Sequence, residues 1–217
     1  MSKILIKFPS RSRPDKFFAC LDNILHSARH DDFEVLATLD LDDETMANPE
    51  VRDRIKQYPM VRAYWGTSNS KIQAINRDME FAGEFDILLL WSDDMWIDKD
   101  GFDRFVVASF NNFSGLLHLP DGHANSRLVT LPIMDRAYYQ LDNFVYNPIY
   151  KSVYADNEQM AVAKLRGKYK YVHESWYTHR HPIWGYGKAD AQLRHTESFY
   201  PIDQPTFLKR QAENFGL

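Results

Sequence analysis

Residues 85–91 read F-D-I-L-L-L-W, and Ser92, Asp93 and Asp94 follow at once. A strand with one wet face alternates apolar and polar side chains. This segment does not alternate, so as a strand it must be covered on both faces, which is the situation of a central strand in a helix-flanked sheet. It is also far shorter than the ~20 apolar residues that span a bilayer. The chain is therefore constrained to a layered α/β arrangement, with two adjacent carboxylates at the open end of its most buried strand.

The rest of the pattern agrees. I-L-I-K-F at 4–8 reads as a strand stopped by Pro9, and F-E-V-L-A-T-L-D at 33–40 as a second. Residues 14–29 carry Phe17, Phe18, Leu21, Ile24, Leu25 and Ala28 at helical spacing, with Pro14 suited to the first turn. Helices are expected at 50–57, 71–82, 101–111 and 155–166, the last ended by Gly167, and strands at 128–133 and 168–172. Strands alternating with helices imply an α/β fold: one Rossmann-like domain with a mixed, mainly parallel central sheet flanked by helices. At 217 residues with no visible linker, the chain is read as one domain. Open sheets of this class bind ligands beyond the carboxyl ends of their strands. The segments to search are S-R-S-R-P, D-L-D-D-E-T and S-D-D-M-W.

Cys20 is the only cysteine, so no intrachain disulfide is possible. Its apolar-periodic surroundings point to a buried, inert thiol, and the start of the chain has none of a secretory signal's features. Both fit a cytoplasmic protein. The formal charge is −4 but unevenly spread. Residues 31–50, which include Asp31, Asp40, Asp42, Asp43 and Glu44, contain no Lys or Arg, whereas 164–194 is basic. A solvated face explains either half; an anion-binding side near the C-terminus is the sharper reading.

Several side chains in this frame can carry chemistry. Asp93 and Asp94 repel each other, and a divalent cation with oxygen ligands would offset that; a turn in which they cap or bond the backbone is the plain alternative. His179 and His181, two apart in Y-T-H-R-H-P, face one side of an extended segment, and imidazole is a common ligand for manganese, zinc or iron. Asp156 and Glu158 start a helix, where carboxylates are favoured electrostatically and where one could serve as a general base. Asp40, Asp42 and Asp43 end the second strand and could meet a nucleotide's base or ribose. Arg11 and Arg13 flank the first strand's end with guanidinium forks suited to phosphate. No Gly-rich phosphate loop is present.

The order of these features resembles the family 2-like glycosyltransferases of the GT-A fold. F-D-I-L-L-L-W-S-D-D-M-W resembles their strand ending in a DXD-type metal motif. S-K-I-Q-A-I-N-R-D-M-E-F-A-G-E-F-D resembles the helix leading into it, and V-L-A-T-L-D-L-D-D the strand whose last Asp meets the base. Y-A-D-N-E-Q-M-A-V-A-K-L-R-G-K-Y-K-Y-V resembles the catalytic-base segment, and Y-T-H-R-H the late metal histidine. The likeness covers residues 3–182. It departs at Trp91, where a strict D-X-D has its first Asp, and at Ala155, where a Glu usually precedes the catalytic Asp.

The resemblance implies a metal-dependent transfer of a hexosyl or pentosyl group from a nucleoside-diphosphate sugar to an acceptor hydroxyl, with inversion. Asp93, Asp94, His179 and His181 are the implied holders of Mn²⁺ or Mg²⁺. Arg11, Asp40, Asp42, Lys71 and Asp93 are the implied nucleotide contacts. Asp156 is the implied base, with Glu158 its rival; a low pKa is expected for Asp156 from its place at a helix start. Residues 1–100 form the nucleotide half, 101–198 the acceptor half and 199–217 a C-terminal tail. The acceptor is left open between a glycan, a small molecule and a polyanion such as nucleic acid. Two rival functions are a catalytically inactive sugar-binding or scaffold subunit and a metal-dependent nucleotidyltransferase.

Overall fold

The computed structural model describes residues 2–29 and 32–217. Asp31 of the acidic stretch lies outside them. The first half runs β1 (Ile4–Pro9), α1 (Pro14–Ser27), β2 (Phe33–Asp40), α2 (Pro49–Ile55), β3 (Val61–Gly66), α3 (Lys71–Asn76), β4 (Ile87–Leu90), β5 (Met95–Ile97) and α4 (Phe102–Ser109). The second half runs β6 (Leu116–His118), β7 (Ile133–Asp135), α5 (Arg136–Tyr139), α6 (Ala155–Leu165), β8 (Tyr169–Tyr171), β9 (Tyr177–His179), α7 (Ala191–Glu197) and α8 (Tyr200–Ala212).

The main sheet has the order β3-β2-β1-β4-β7-β6-β8, and a separate two-stranded ribbon pairs β5 with β9. β3, β2, β1 and β4 are parallel; β7 is antiparallel to both β4 and β6; β8 is parallel to β6. Two reversals restore the direction, so β6 points the same way as β1, β2 and β4. The carboxyl ends of these four strands share one edge.

Side-chain alternation explains the two cores. Ile4, Ile6 and Phe8 of β1 pack with Leu89 and α1 on one face, while Leu5 packs with Leu88, Ile72, Ile75 and Tyr150 on the other. β4 is buried at every position, as a two-sided strand must be. Trp91 continues that alternation into the first core, against Phe102 and Tyr177. That is why an aromatic ring occupies the position where a strict D-X-D has its first carboxylate.

Four differences from the sequence pattern have local causes. The helix expected over 71–82 stops at Asn76, because Arg77 and Asp78 turn inward: Asp78 adopts a left-handed φ of 69° and accepts from buried Thr38. Residues 128–132 are not a strand, since Pro132 cannot donate to a ladder; only Ile133–Asp135 pairs. Strands β3 and β6 have no clear sequence signal, being a half-exposed edge and a three-residue segment. Residues 199–217 are no loose tail. Asp203 is fully buried and accepts from the backbone N–H groups of Lys151, Ser152 and Val153 at 2.9, 2.8 and 2.9 Å. Phe215 is buried beyond the helix end. Cys20 is buried as expected, and burial pushes its thiol up to about 12.

Candidate active site

The shared strand edge gathers four polar segments. After β1, Ser10 donates to Asp93 Oδ2 at 3.0 Å, and Arg13 Nη1 donates to Asp93 Oδ1 at 2.8 Å. Arg13 also grips Asp190, the N-cap of α7, at 2.7 and 2.8 Å, so one guanidinium ties the strand-end carboxylate to a segment almost 100 residues later. Burial pushes the Asp93 carboxyl up, and the Arg13 charge opposes that.

After β2, Asp40 is nearly buried between two arginines: Arg77 donates to Oδ1 at 3.1 Å and Arg11 to Oδ2 at 2.9 Å. Arg11 holds Asp42 as well, at 2.7 and 2.9 Å. Arg11, Asp40 and Asp42 are thus brought together, but onto one another; a phosphate would have to compete with two carboxylates for the Arg11 fork. Arg77, which the sequence reading did not single out, is the deeper cation. Gly66 makes room for it, since a Cβ there would sit 3.0 Å from its Cζ.

After β4, Asp93 and Asp94 diverge. Asp93 is turned to Arg13 and Ser10. Asp94 Oδ2 lies 3.3 Å from His179 Nε2, while Asp94 Oδ1 is buried with no partner. After β6 comes Asp121, which the sequence reading also missed. It is 1% exposed and accepts from the backbone N–H groups of His123 and Asn125 and from Thr130 Oγ1. Its Oδ2 lies 3.6 Å from His179 Nδ1. The apolar L-L-H-L-P ending in Asp121 is the same strand-then-carboxylate signal as at Asp93, only shorter.

His179 therefore stands between two carboxylates. The β5–β9 pairing sets it there, opposite Met95 in the ribbon that directly follows the Asp pair. Burial opposes the imidazolium, but Asp121 and Asp94 outweigh it and raise His179 to about 9. Burial likewise disfavours the Asp94 carboxylate, and His179 holds it well below the usual range regardless. His181 packs its ring 5.2 Å from that of His179, yet its Nδ1 accepts from the Ile183 N–H as a helix cap, and burial lowers its pKa.

Among the described residues, no group of three or more His, Cys, Asp or Glu side chains is arranged to hold an ion. What fits a hard divalent cation is smaller: the unpartnered, buried Asp94 Oδ1, on the carboxylate whose Oδ2 lies 3.3 Å from His179 Nε2, with His179 able to add a nitrogen only on losing its proton.

Asp156 begins α6 and accepts from the Asn157 N–H. Its pKa is raised, not lowered: burial outweighs the helix start, while Lys71 and, more weakly, His179 pull it back down. Lys71 is exposed at the start of α3, and its charge acts on Asp94, Asp156 and His181 together.

Glu158 does not face this cluster. It is 3% exposed and accepts from Arg210 of α8 twice at 2.7 Å, from Tyr150 at 2.6 Å and from Asn147 at 2.7 Å. Two residues rotate a helix by roughly 200°, so the acidic pair is split between two faces. Glu158, the rival base of the sequence reading, is thus satisfied within a buried ion pair.

No family model matches this sequence, and no curated protein matches it. Solved structures do. The S. aureus TarS 1–349 structure superposes with a TM-score of 0.64 at 13% identity, covering 81% of this chain and 60% of that one. The same protein in complex with UDP-GlcNAc gives 0.63 at 15% identity, covering 81% and 58%. The mannosyltransferase PcManGT from Pyrobaculum calidifontis, in complex with GDP-Man and Mn²⁺, gives 0.65 at 13% identity, covering 99% of this chain and 74% of that one. This chain spans about 60% of the TarS 1–349 chain. The fold is GT-A-like, a mixed sheet with parallel strands at its centre and helices on both sides.

Proposed function

We propose that this protein is a metal-dependent glycosyltransferase that moves a hexosyl or pentosyl group from a nucleoside-diphosphate sugar to an acceptor hydroxyl with inversion. The observation that carries the reading is the pairing, at one strand edge of a GT-A-like sheet, of Asp94 and His179 with the separate carboxylate of Asp156, Lys71 acting on both. Nucleotidyl transfer is disfavoured because the loop after β1 has no glycine and its arginines are committed to carboxylates.

Asp94 and His179 would hold Mn²⁺ or Mg²⁺. Bound there, the ion would offset charge developing on the departing nucleoside diphosphate. Lys71 and Arg13 add fixed positive charge beside it. Asp40 and Asp42, at the end of β2, would meet the base and ribose, in competition with the arginines that hold them. Asp156 would accept the acceptor hydroxyl's proton as that oxygen attacks the anomeric carbon. The new C–O bond forms as the bond to the diphosphate oxygen breaks, and the electron pair leaves with the diphosphate. Because Asp156 has a raised pKa, the base form is lost at a higher pH than for an ordinary carboxylate, so the acid limb of the rate profile lies above the usual ~4.

The test measures sugar transfer and donor hydrolysis with and without chelator, for the wild type and Asp156→Asn. Chelation should abolish activity and Mn²⁺ restore it. The Asn variant should lose about 10²–10⁴-fold in transfer while nucleoside diphosphate affinity holds. Full activity in excess chelator removes the metal; full activity of Asp156→Asn removes the base. Donor binding with neither activity would favour the inactive sugar-binding subunit.

A further inference from the structure

A second cluster borders the site on the β6 side. Pro182–Trp184 makes a single helical turn directly after His181, and Gly185 and Gly187, both with φ near +90°, carry the chain past Trp184 and Tyr186. The His123 ring stacks on Trp184 with centroids 5.0 Å apart and planes 8° apart, and meets Tyr186 edge-on at 5.6 Å. Despite this packing, Trp184 is 38% and Tyr186 43% exposed. His123 Nε2 is buried without a partner.

The cluster is wired to the candidate metal pair. Asp121 Oδ1 accepts from the His123 N–H at 2.9 Å, while Asp121 Oδ2 faces His179 Nδ1. It also lies on the correct side for a second substrate. In the order β3-β2-β1-β4-β7-β6-β8, Asp40 ends a strand on one side of the Asp93–Asp94 strand, and Asp121 and His123 follow a strand on the other. The end proposed for the base and this aromatic cluster flank the reaction centre from opposite sides.

We propose that Trp184 and Tyr186, backed by His123, form the acceptor subsite and that its ligand is a pyranose ring. Sugar rings present an apolar C–H face, which suits the electron-rich face of an aromatic ring held half in water. They also carry hydroxyls that can meet the indole N–H of Trp184 and the hydroxyl of Tyr186 on these half-exposed rings. Arg127, which donates to the His123 carbonyl, and the exposed Lys188 lie nearby, but the ring faces themselves suit an uncharged sugar ring rather than a polyanion. This assignment rests on the glycosyl-transfer reading for the word acceptor, but not for the binding of sugar.

Saturation-transfer NMR tests it with methyl α-mannopyranoside, methyl β-glucopyranoside and methyl N-acetyl-β-glucosaminide as probes. UDP and GDP binding with Mn²⁺ is measured in parallel. The wild type should show transfer to ring C–H protons of at least one glycoside. Trp184→Ala should weaken that binding by about tenfold, with Trp184→Phe retaining most of it. Nucleotide affinity and melting temperature should not change. Wild type that binds nucleotide but no glycoside, or glycoside binding indifferent to Trp184→Ala, overturns the subsite and leaves the proposed function standing. Glycoside binding lost in Trp184→Ala, in a protein that binds neither nucleotide, supports the platform while removing glycosyl transfer.

Discussion

Glu158→Gln separates the two acidic residues that the sequence sets side by side. In the structure Glu158 is a buried anion satisfied by Arg210, Tyr150 and Asn147. Removing one partner of a buried ion pair costs about 3–5 kcal/mol, because the other charge is stranded. Arg210 is less buried than that limit assumes: its side chain keeps 22% exposure and still donates to the Phe215 carbonyl at 2.9 Å. Partial hydration reduces the expected loss to about 2–3 kcal/mol. For a chain of this size each kcal/mol lowers the melting temperature by about 2–4 °C, so the variant should melt about 4–12 °C below wild type. Arg210→Gln alone should cost a similar amount, and the double variant less than the sum, since the two side chains touch. Sugar transfer at 20 °C, well below either transition, should stay within about twofold of wild type. Calorimetry and a transfer assay on the same samples decide it. A Glu158→Gln protein that melts with the wild type yet has lost transfer by a factor of ~100 would return Glu158 to the chemistry.

Two further outcomes test other buried groups. Asp203→Ala strands three backbone N–H groups and should cost at least about 3 kcal/mol in urea unfolding, with Asp203→Asn recovering part of it; unchanged stability would mean that α8 does not hold the 151–153 turn. Lys7 lies fully buried in β1, donating to Thr38 and to the Arg77 carbonyl, and burial lowers it from 10.5 to about 7. Between those values the unfolded chain binds a proton that the folded chain releases, so stability should rise as pH goes from 7 to 9.5, and Lys7→Met should flatten that rise. Equal slopes in the two proteins would show that Lys7 stays charged in the fold.

The sequence determined the layers of this protein and where β1, β2 and β4 end. A two-sided apolar strand can be satisfied only between helices, so I-L-L-L specified a covered central strand without reference to anything distant. The carboxylates that follow it were visible because a strand's end fixes where its next residues point. Helix α6 was equally legible, with its acidic start and its stop at Gly167. What each carboxylate faces was decided in three dimensions. Asp156 and Glu158 look alike in sequence, but the first lies in the field of Lys71 and His179 and the second is gripped by Arg210, fifty-two residues away. Asp93 meets Arg13 while Asp94 keeps an oxygen free, a difference set by β1 lying beside β4. Asp121 enters the site only because two antiparallel steps point β6 in the direction of β4. Local periodicity records which face of an element is wet; the partner of a buried charge is a long-range fact, fixed by how the sheet is ordered.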